Sequence, residues 1–228
     1  VPVELPKANG VVPTVPAAKA LIAAGVPLIR HVLCSTAEEA AAAASTMGFP
    51  VAMKIESADL PHKTEAGGVA LGLADEAAVR DAFAEIVGSA GLYDPNAAIE
   101  GVVVQEMASG NVEIVVGLKR DPVFGMVVMV GLGGVFVEVL RDVVFRRAPV
   151  SEGQATEMLN SLQGAVVLDG IRGASPVDRN ALARLIAAVS SFGASASGRL
   201  LELDLNPVLA GPDGAVAVDW LMVLDEPA

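Results

Sequence analysis

Cysteine, aromatic rings and charge are all scarce in this chain. The single cysteine, Cys34, excludes an intrachain disulfide and a cysteine-rich zinc site, and it suits a reducing, cytoplasmic address. Aromatic residues are only 4%, so the core must be aliphatic, built from Ala, Val, Leu and Met. Charged residues are 18%, and the 27 acids outnumber the 15 bases to give a net charge of −12. That sign repels a nucleic-acid backbone, so no nucleic-acid partner is expected. A nucleotide stays open, because a small anion needs only a local lysine, backbone N–H groups and a metal. Uninterrupted apolar runs are missing as well. The most hydrophobic stretch, 123–140, contains Gly125, Gly131, Gly133, Gly134 and Glu138, whereas a spanning helix needs about 20 apolar residues. It reads as two buried strands joined by a glycine turn, and no membrane segment is expected despite a mean hydropathy of +0.57. No basic start followed by an apolar run marks a signal peptide. The chain also lacks an initiator Met, and the expectation is a processed chain or an excised part of something longer.

What is present is ample core material. Hydrophobic residues make up 53% of 228, which excludes disorder over most of the length and fits one large domain or two small ones. Residues 1–16 are rich in Pro and Val without periodicity and read as an extended arm. A helix over 17–24 ends at Gly25 and Pro27. Ser35 and Glu38 have the spacing of a capping box ahead of an alanine run that Gly48 stops. A buried strand covers 51–55, a helix 75–87 and a loop 91–96. Val-rich strands follow at 102–107, 112–118 and 126–130, then helices at 151–162 and 176–194. Strands at 200–205 and 215–218 flank a turn at Gly211, Pro212, Asp213 and Gly214. This order predicts an α+β (α/β) protein of two lobes, 17–95 and 96–228, with a seam near residue 95.

Four clusters can carry chemistry. Lys54 ends an apolar strand, where it either reaches water or meets a fixed anion such as phosphate. In His62-Lys-Thr-Glu-Ala-Gly-Gly-Val69 the paired glycines Gly67 and Gly68 either form a plain turn or let N–H groups cradle phosphate oxygens. His62 is either an exposed loop residue or a phosphoryl acceptor. Val103-Val-Gln105-Glu106-Met107 is either an edge strand with a polar end or a backbone that reads an adenine edge, with Met107 against the ring. Glu202, Asp204 and Asn206 are two apart and share a strand face. Asp219 follows, ending the presumed hairpin partner. That face is either solvated or an all-oxygen site suited to Mg²⁺, with Asn206-Pro207 breaking the strand beside it.

Taken in order, these clusters resemble the nucleotide-binding half of the NDP-forming acyl-CoA synthetases. That half is the ATP-grasp domain of the ADP-forming acetyl-CoA synthetase family, related to the succinyl-CoA synthetase β subunit. The likeness runs from about Ala17 to Leu224. It is carried by the His62 to Val69 motif, Gln105-Glu-Met107, Asp121-Pro-Val-Phe-Gly125, Gly131-Leu-Gly-Gly134 with Glu138, Asp142-Val-Val-Phe-Arg146, Gly170-Ile-Arg-Gly173 and Glu202-Leu-Asp-Leu-Asn-Pro207. The resemblance implies an ATP-grasp fold of two lobes with the nucleotide site between them. It also implies an enzyme, an acid–thiol ligase that interconverts acyl-CoA, ADP and phosphate with acid, CoA and ATP through a phosphohistidine. By position, Lys54 meets nucleotide phosphates, with Gly67 and Gly68 holding phosphate oxygens. Gln105, Glu106, Met107 and Ala108 form the adenine hinge, and Asn111 or Glu113 lies near the ribose. Asp204, Asn206 and Asp219 are metal-side residues for Mg²⁺, and His62 receives phosphate. The implied cofactors are ATP/ADP and Mg²⁺, and the implied partner is a CoA-binding ligase domain or subunit, without which no acyl-CoA is expected. Trp220-Leu221 after Asp219, and Met126 after Phe124-Gly125, depart from the family pattern. A nucleotide-sensing domain without turnover, of the kind fused to protein acetyltransferases, is the alternative. A carboxylate–amine ligase would leave the His62 loop unexplained.

Overall fold

The computed structural model describes residues 4–60, 63–110, 112–134, 142–171 and 173–226. The chain opens with β1 (Gly10–Val12) and α1 (Thr14–Ala23). It then builds one compact unit, Ile29–Met107, and returns to complete another, Val1–Leu28 with Ala108–Ala228. Among the described residues no helix is long and apolar enough to cross a membrane.

The Ile29–Met107 unit contains β2 (His31–Cys34), α2 (Ala37–Met47), β3 (Val51–Glu56), β4 (Val69–Leu73), α3 (Glu76–Tyr93) and β5 (Gly101–Glu106). Its antiparallel sheet has the order β2-β5-β3-β4, so β5 is central rather than an edge. Residues 96–107 therefore belong here, and the seam expected near 95 lies instead at 107/108. Helix α2 begins one residue later than the expected Ser35–Glu38 box. Thr36 is the cap and accepts from the Glu39 N–H at 3.2 Å, while the Glu39 carboxylate accepts from the Ser35 N–H at 2.8 Å. Gly48, at φ 92°, closes the helix as expected. Helix α3 runs past its expected end at 87, because fully buried Ala90 packs in the core and carries the helix through Gly88 and Gly91.

The other unit adds β6 (Val112–Asp121), β7 (Gly125–Leu132), β8 (Val143–Arg147), α4 (Glu152–Asn160), α5 (Arg179–Ser195), β9 (Leu200–Gly211), β10 (Gly214–Ala217) and β11 (Trp220–Leu224). The sheet order is β1-β11-β9-β6-β7-β8, with β10 paired to β9. Residues 4–16 are no separate arm. Val11 of β1 pairs with Val223, and the Arg199 guanidinium donates to the carbonyls of Pro6 and Ala8 at 2.9 and 2.6 Å. Helix α4 carries a capping box between Ser151 and Gln154. Helix α5 lies close on the sheet, where a Cβ on Gly193 would meet Leu118 at 2.6 Å. Of the two strands expected within 123–140, β7 is observed, and residues 135–140 lie outside the described ones.

Candidate functional site

Strand β9 does not stop at Asn206-Pro207 but runs to Gly211. Its partners on β6 step from Leu205↔Val116 to Val208↔Ile114, so Asn206 and Pro207 together oppose Val115. This is a bulge, and it accommodates a proline that has no N–H for the ladder. Alternation sends Leu203 and Leu205, both fully buried, into the core and turns Glu202, Asp204 and Asn206 to the other face. Strand β11, and not the β10 hairpin, completes that face. Leu221 lies opposite Asp204 and Trp220 opposite Leu205, so Asp219 falls on the side of Asp204. The Trp220 indole points into the core, donating through Nε1 to the Thr14 carbonyl at 2.9 Å, and leaves the acidic face clear.

The charges on this face are unevenly matched. Lys119, opposite Glu202 on β6, forms an ion pair with it at 2.9 Å. Opposite Asp204 the β6 residue is Gly117, which brings no side chain. The Asp204 carboxyl is pushed above its ordinary range, first by burial and then by the negative charges of Glu202 and Asp219, against a hydrogen bond from Asn206. Among the described residues no three His, Cys, Asp or Glu side chains form a group that could hold a metal ion by themselves. Two carboxylates and an amide nevertheless fit Mg²⁺, which typically takes one or two carboxylates and completes its shell with water and phosphate oxygens. A raised carboxyl pKa favours the protonated folded state, so Asp204 costs stability once it must ionise. That cost is absent below the unfolded carboxyl pKa and complete above the raised folded one. The melting temperature of Asp204→Asn without metal is therefore expected to gain on the parent as pH rises from acid to neutral. A pH-independent difference in thermal melts would contradict this.

In the Ile29–Met107 unit, Lys54 sits on β3 between Val103 and Val69 and is 8% exposed. It is a buried cation, not a strand-end lysine in water. The glycines beside it differ from expectation. The N–H of Gly67 donates to the Thr64 carbonyl at 3.1 Å and that of Gly68 to the Lys63 carbonyl at 2.8 Å. Both amides are committed to the turn, and neither is left to cradle a phosphate. Gly68 is required because a Cβ would collide with Ile55, and Gly67 because its φ is 65°. Sequence reading missed the buried Glu56, which pairs with Lys63 at 3.5 Å at the base of this loop. All six β3 residues are buried, so no alternation singled it out. His62 and Asn111 lie outside the described residues.

At the end of β5, Gln105 is buried, Glu106 half-buried and Met107 43% exposed; Ala108 starts the return to the other unit. Glu113 stands on β6 against the Gly133-Gly134 backbone. The Gly133 N–H donates to the Glu113 carbonyl at 2.7 Å, and a Cβ on Gly133 would approach the Glu113 Cβ to 2.8 Å. These glycines make room for Glu113. The structure thus gathers Asp204, Asn206 and Asp219 on one face of one unit. It sets Lys54 beside the Gly67–Gly68 turn in the other.

The chain is thus built of two antiparallel-sheet units, one with a buried lysine and one with an acidic strand face. The ATP-grasp domain family matches residues 5–224, and the chain belongs to that family. It is 40% identical over 200 residues to the acetate–CoA ligase [ADP-forming] I subunit beta of Pyrococcus furiosus, covering 88% of this chain and 86% of that subunit. It is 41% identical over 206 residues to acetate–CoA ligase [ADP-forming] I of Archaeoglobus fulgidus; this is 90% of the chain but only 30% of that longer protein. The fold is similar to that of the dinucleotide forming acetyl-coenzyme A synthetase 1 of Ca. Korarchaeum cryptofilum in complex with coenzyme A, Ca-AMPCP and HgCl+. That match has a TM-score of 0.91 and 40% identity over 94% of this chain and 93% of that one. The same synthetase with coenzyme A and Mg-AMPPCP matches at a TM-score of 0.79 and 39% identity, over 92% and 90% of the chains.

Proposed function

We propose that this chain is the nucleotide-binding part of an ADP-forming acyl-CoA synthetase, an acid–thiol ligase complete only with a CoA-binding domain or subunit. The observation that carries the reading is the oxygen-lined face of Asp204, Asn206 and Asp219 on β9 and before β11, where burial first and crowded negative charge second push Asp204 up. The likeness to a separate beta subunit over most of both chains supports it. Lys54 binds the nucleotide phosphates from within the sheet, and Gln105, Glu106, Met107 and Ala108 read the base. Asn111 or Glu113 meets the ribose. Gly67 and Gly68 shape the loop that carries His62. His62 takes the phosphoryl group from the partner's phosphohistidine and passes it to ADP; at each step one bond to phosphorus breaks as the next forms. Mg²⁺, when bound, screens the phosphate charge, which is most of what phosphoryl transfer asks of a protein beyond alignment. The free, buried thiol of Cys34 agrees with a cytoplasmic address.

Calorimetric titration with ADP and ATP, with and without Mg²⁺, tests the reading. Micromolar, Mg²⁺-dependent binding that Asn206→Ala abolishes is the expected result. Absence of binding both alone and beside the CoA-binding part of a related synthetase overturns it.

A further inference from the structure

Arg30 stands where three pieces of the Ile29–Met107 unit meet. Its Nη2 donates to the carbonyl of Met47, the last residue of α2, at 2.6 Å. That helix has no basic side chain in its own last turn, and a cation there answers the negative end of the helix dipole. The same Nη2 lies 3.2 Å from Oε2 of Glu106, and the Arg30 backbone N–H reaches Oε1 of that carboxylate at 3.4 Å. The Arg30 carbonyl accepts the Glu106 N–H at 3.1 Å, one rung beyond the His31↔Gln105 pair. A lone surface ion pair contributes little. Here side-chain and backbone contacts converge on the last residue of β5, just before the exposed Met107.

We infer that Arg30 is a positioning residue for base recognition: it clamps Glu106 to the end of α2 and holds the 105–108 segment in the shape that reads the nucleotide base. The inference rests on the role proposed above for that segment. Groups that read a base edge discriminate only when they are held to within about half an ångström, and a strand end without a clamp frays.

Titration of ADP and of CDP, in the presence of Mg²⁺, tests the clamp, because the two ligands differ only in the base. The proteins are the parent chain, Arg30→Ala, Arg30→Lys and Arg80→Ala. Arg80 of α3, bound to Glu38 and Glu76 at 2.9 and 3.0 Å, controls for the loss of another arginine cluster. Arg30→Ala is expected to weaken ADP binding about fivefold and to lower the ADP-to-CDP affinity ratio by a similar factor. Arg30→Lys recovers part of the ratio, and Arg80→Ala leaves it unchanged. Equal weakening of both ligands, or none, overturns the inference. A parent chain that binds neither ligand, alone or beside the CoA-binding part of a related synthetase, overturns the nucleotide reading itself, and the clamp with it. Arg30→Gln replaces Arg30→Ala if thermal melts show the latter unfolded.

Discussion

Lys54→Met is expected to bind ADP and ATP about 100-fold more weakly than the parent chain in the presence of Mg²⁺, while its melt stays cooperative. The size follows from where the lysine sits. Lys54 is 8% exposed, on a strand flanked by β4 and β5, so its attraction for phosphate is little screened by water. Removing one member of a desolvated charge pair costs about 2–5 kcal/mol. Methionine keeps most of the length and volume of the side chain, which separates loss of charge from loss of packing. Lys54→Arg is not expected to restore affinity, since a planar guanidinium does not replace a compact ammonium in a packed strand. Calorimetry beside a thermal melt decides the matter. A folded Lys54→Met that binds ADP like the parent would remove Lys54 from the site.

The second large effect is on stability. Trp220→Ala should destabilise the chain by about 3–5 kcal/mol. The indole is 5% exposed, lies on the core side of β11 opposite fully buried Leu205, and anchors α1 through the Thr14 carbonyl. Trp220→Phe keeps one buried ring but deletes that hydrogen bond and leaves a small cavity, so it should cost less than the alanine variant, about 1–3 kcal/mol. Urea denaturation followed by circular dichroism measures both. Because Trp220 faces away from Asp204, the Phe variant should also keep Mg²⁺-dependent nucleotide binding. A Phe variant that is stable but no longer binds would place Trp220 in the site after all.

Much of the local structure was legible in the residues. The capping signals around α2 were displaced by a single position, and Gly48 ended the helix. Leu203 and Leu205 of β9 pointed inward as alternation requires, which put Glu202, Asp204 and Asn206 on one face. The resemblance in ordered motifs supplied the family, which the match over residues 5–224 bears out. Periodicity could not say that Glu202 meets Lys119 while Asp204 faces Gly117, because the identity of the neighbouring strand is not a local property.

What the sequence by itself determined are the features that depend on one segment: caps, turns, apolar alternation and the oxygen donors two residues apart. Tertiary structure decided which segments meet. It brought Asp219 to Asp204 by β11 instead of the β10 hairpin, tied β1 to β11 from the opposite end of the chain, and let Pro207 continue a strand by placing a bulge there. The physical reason is common to all three. A strand's alternation is a local consequence of its pleat, whereas its partner is chosen by burial and hydrogen-bond satisfaction across the whole sheet.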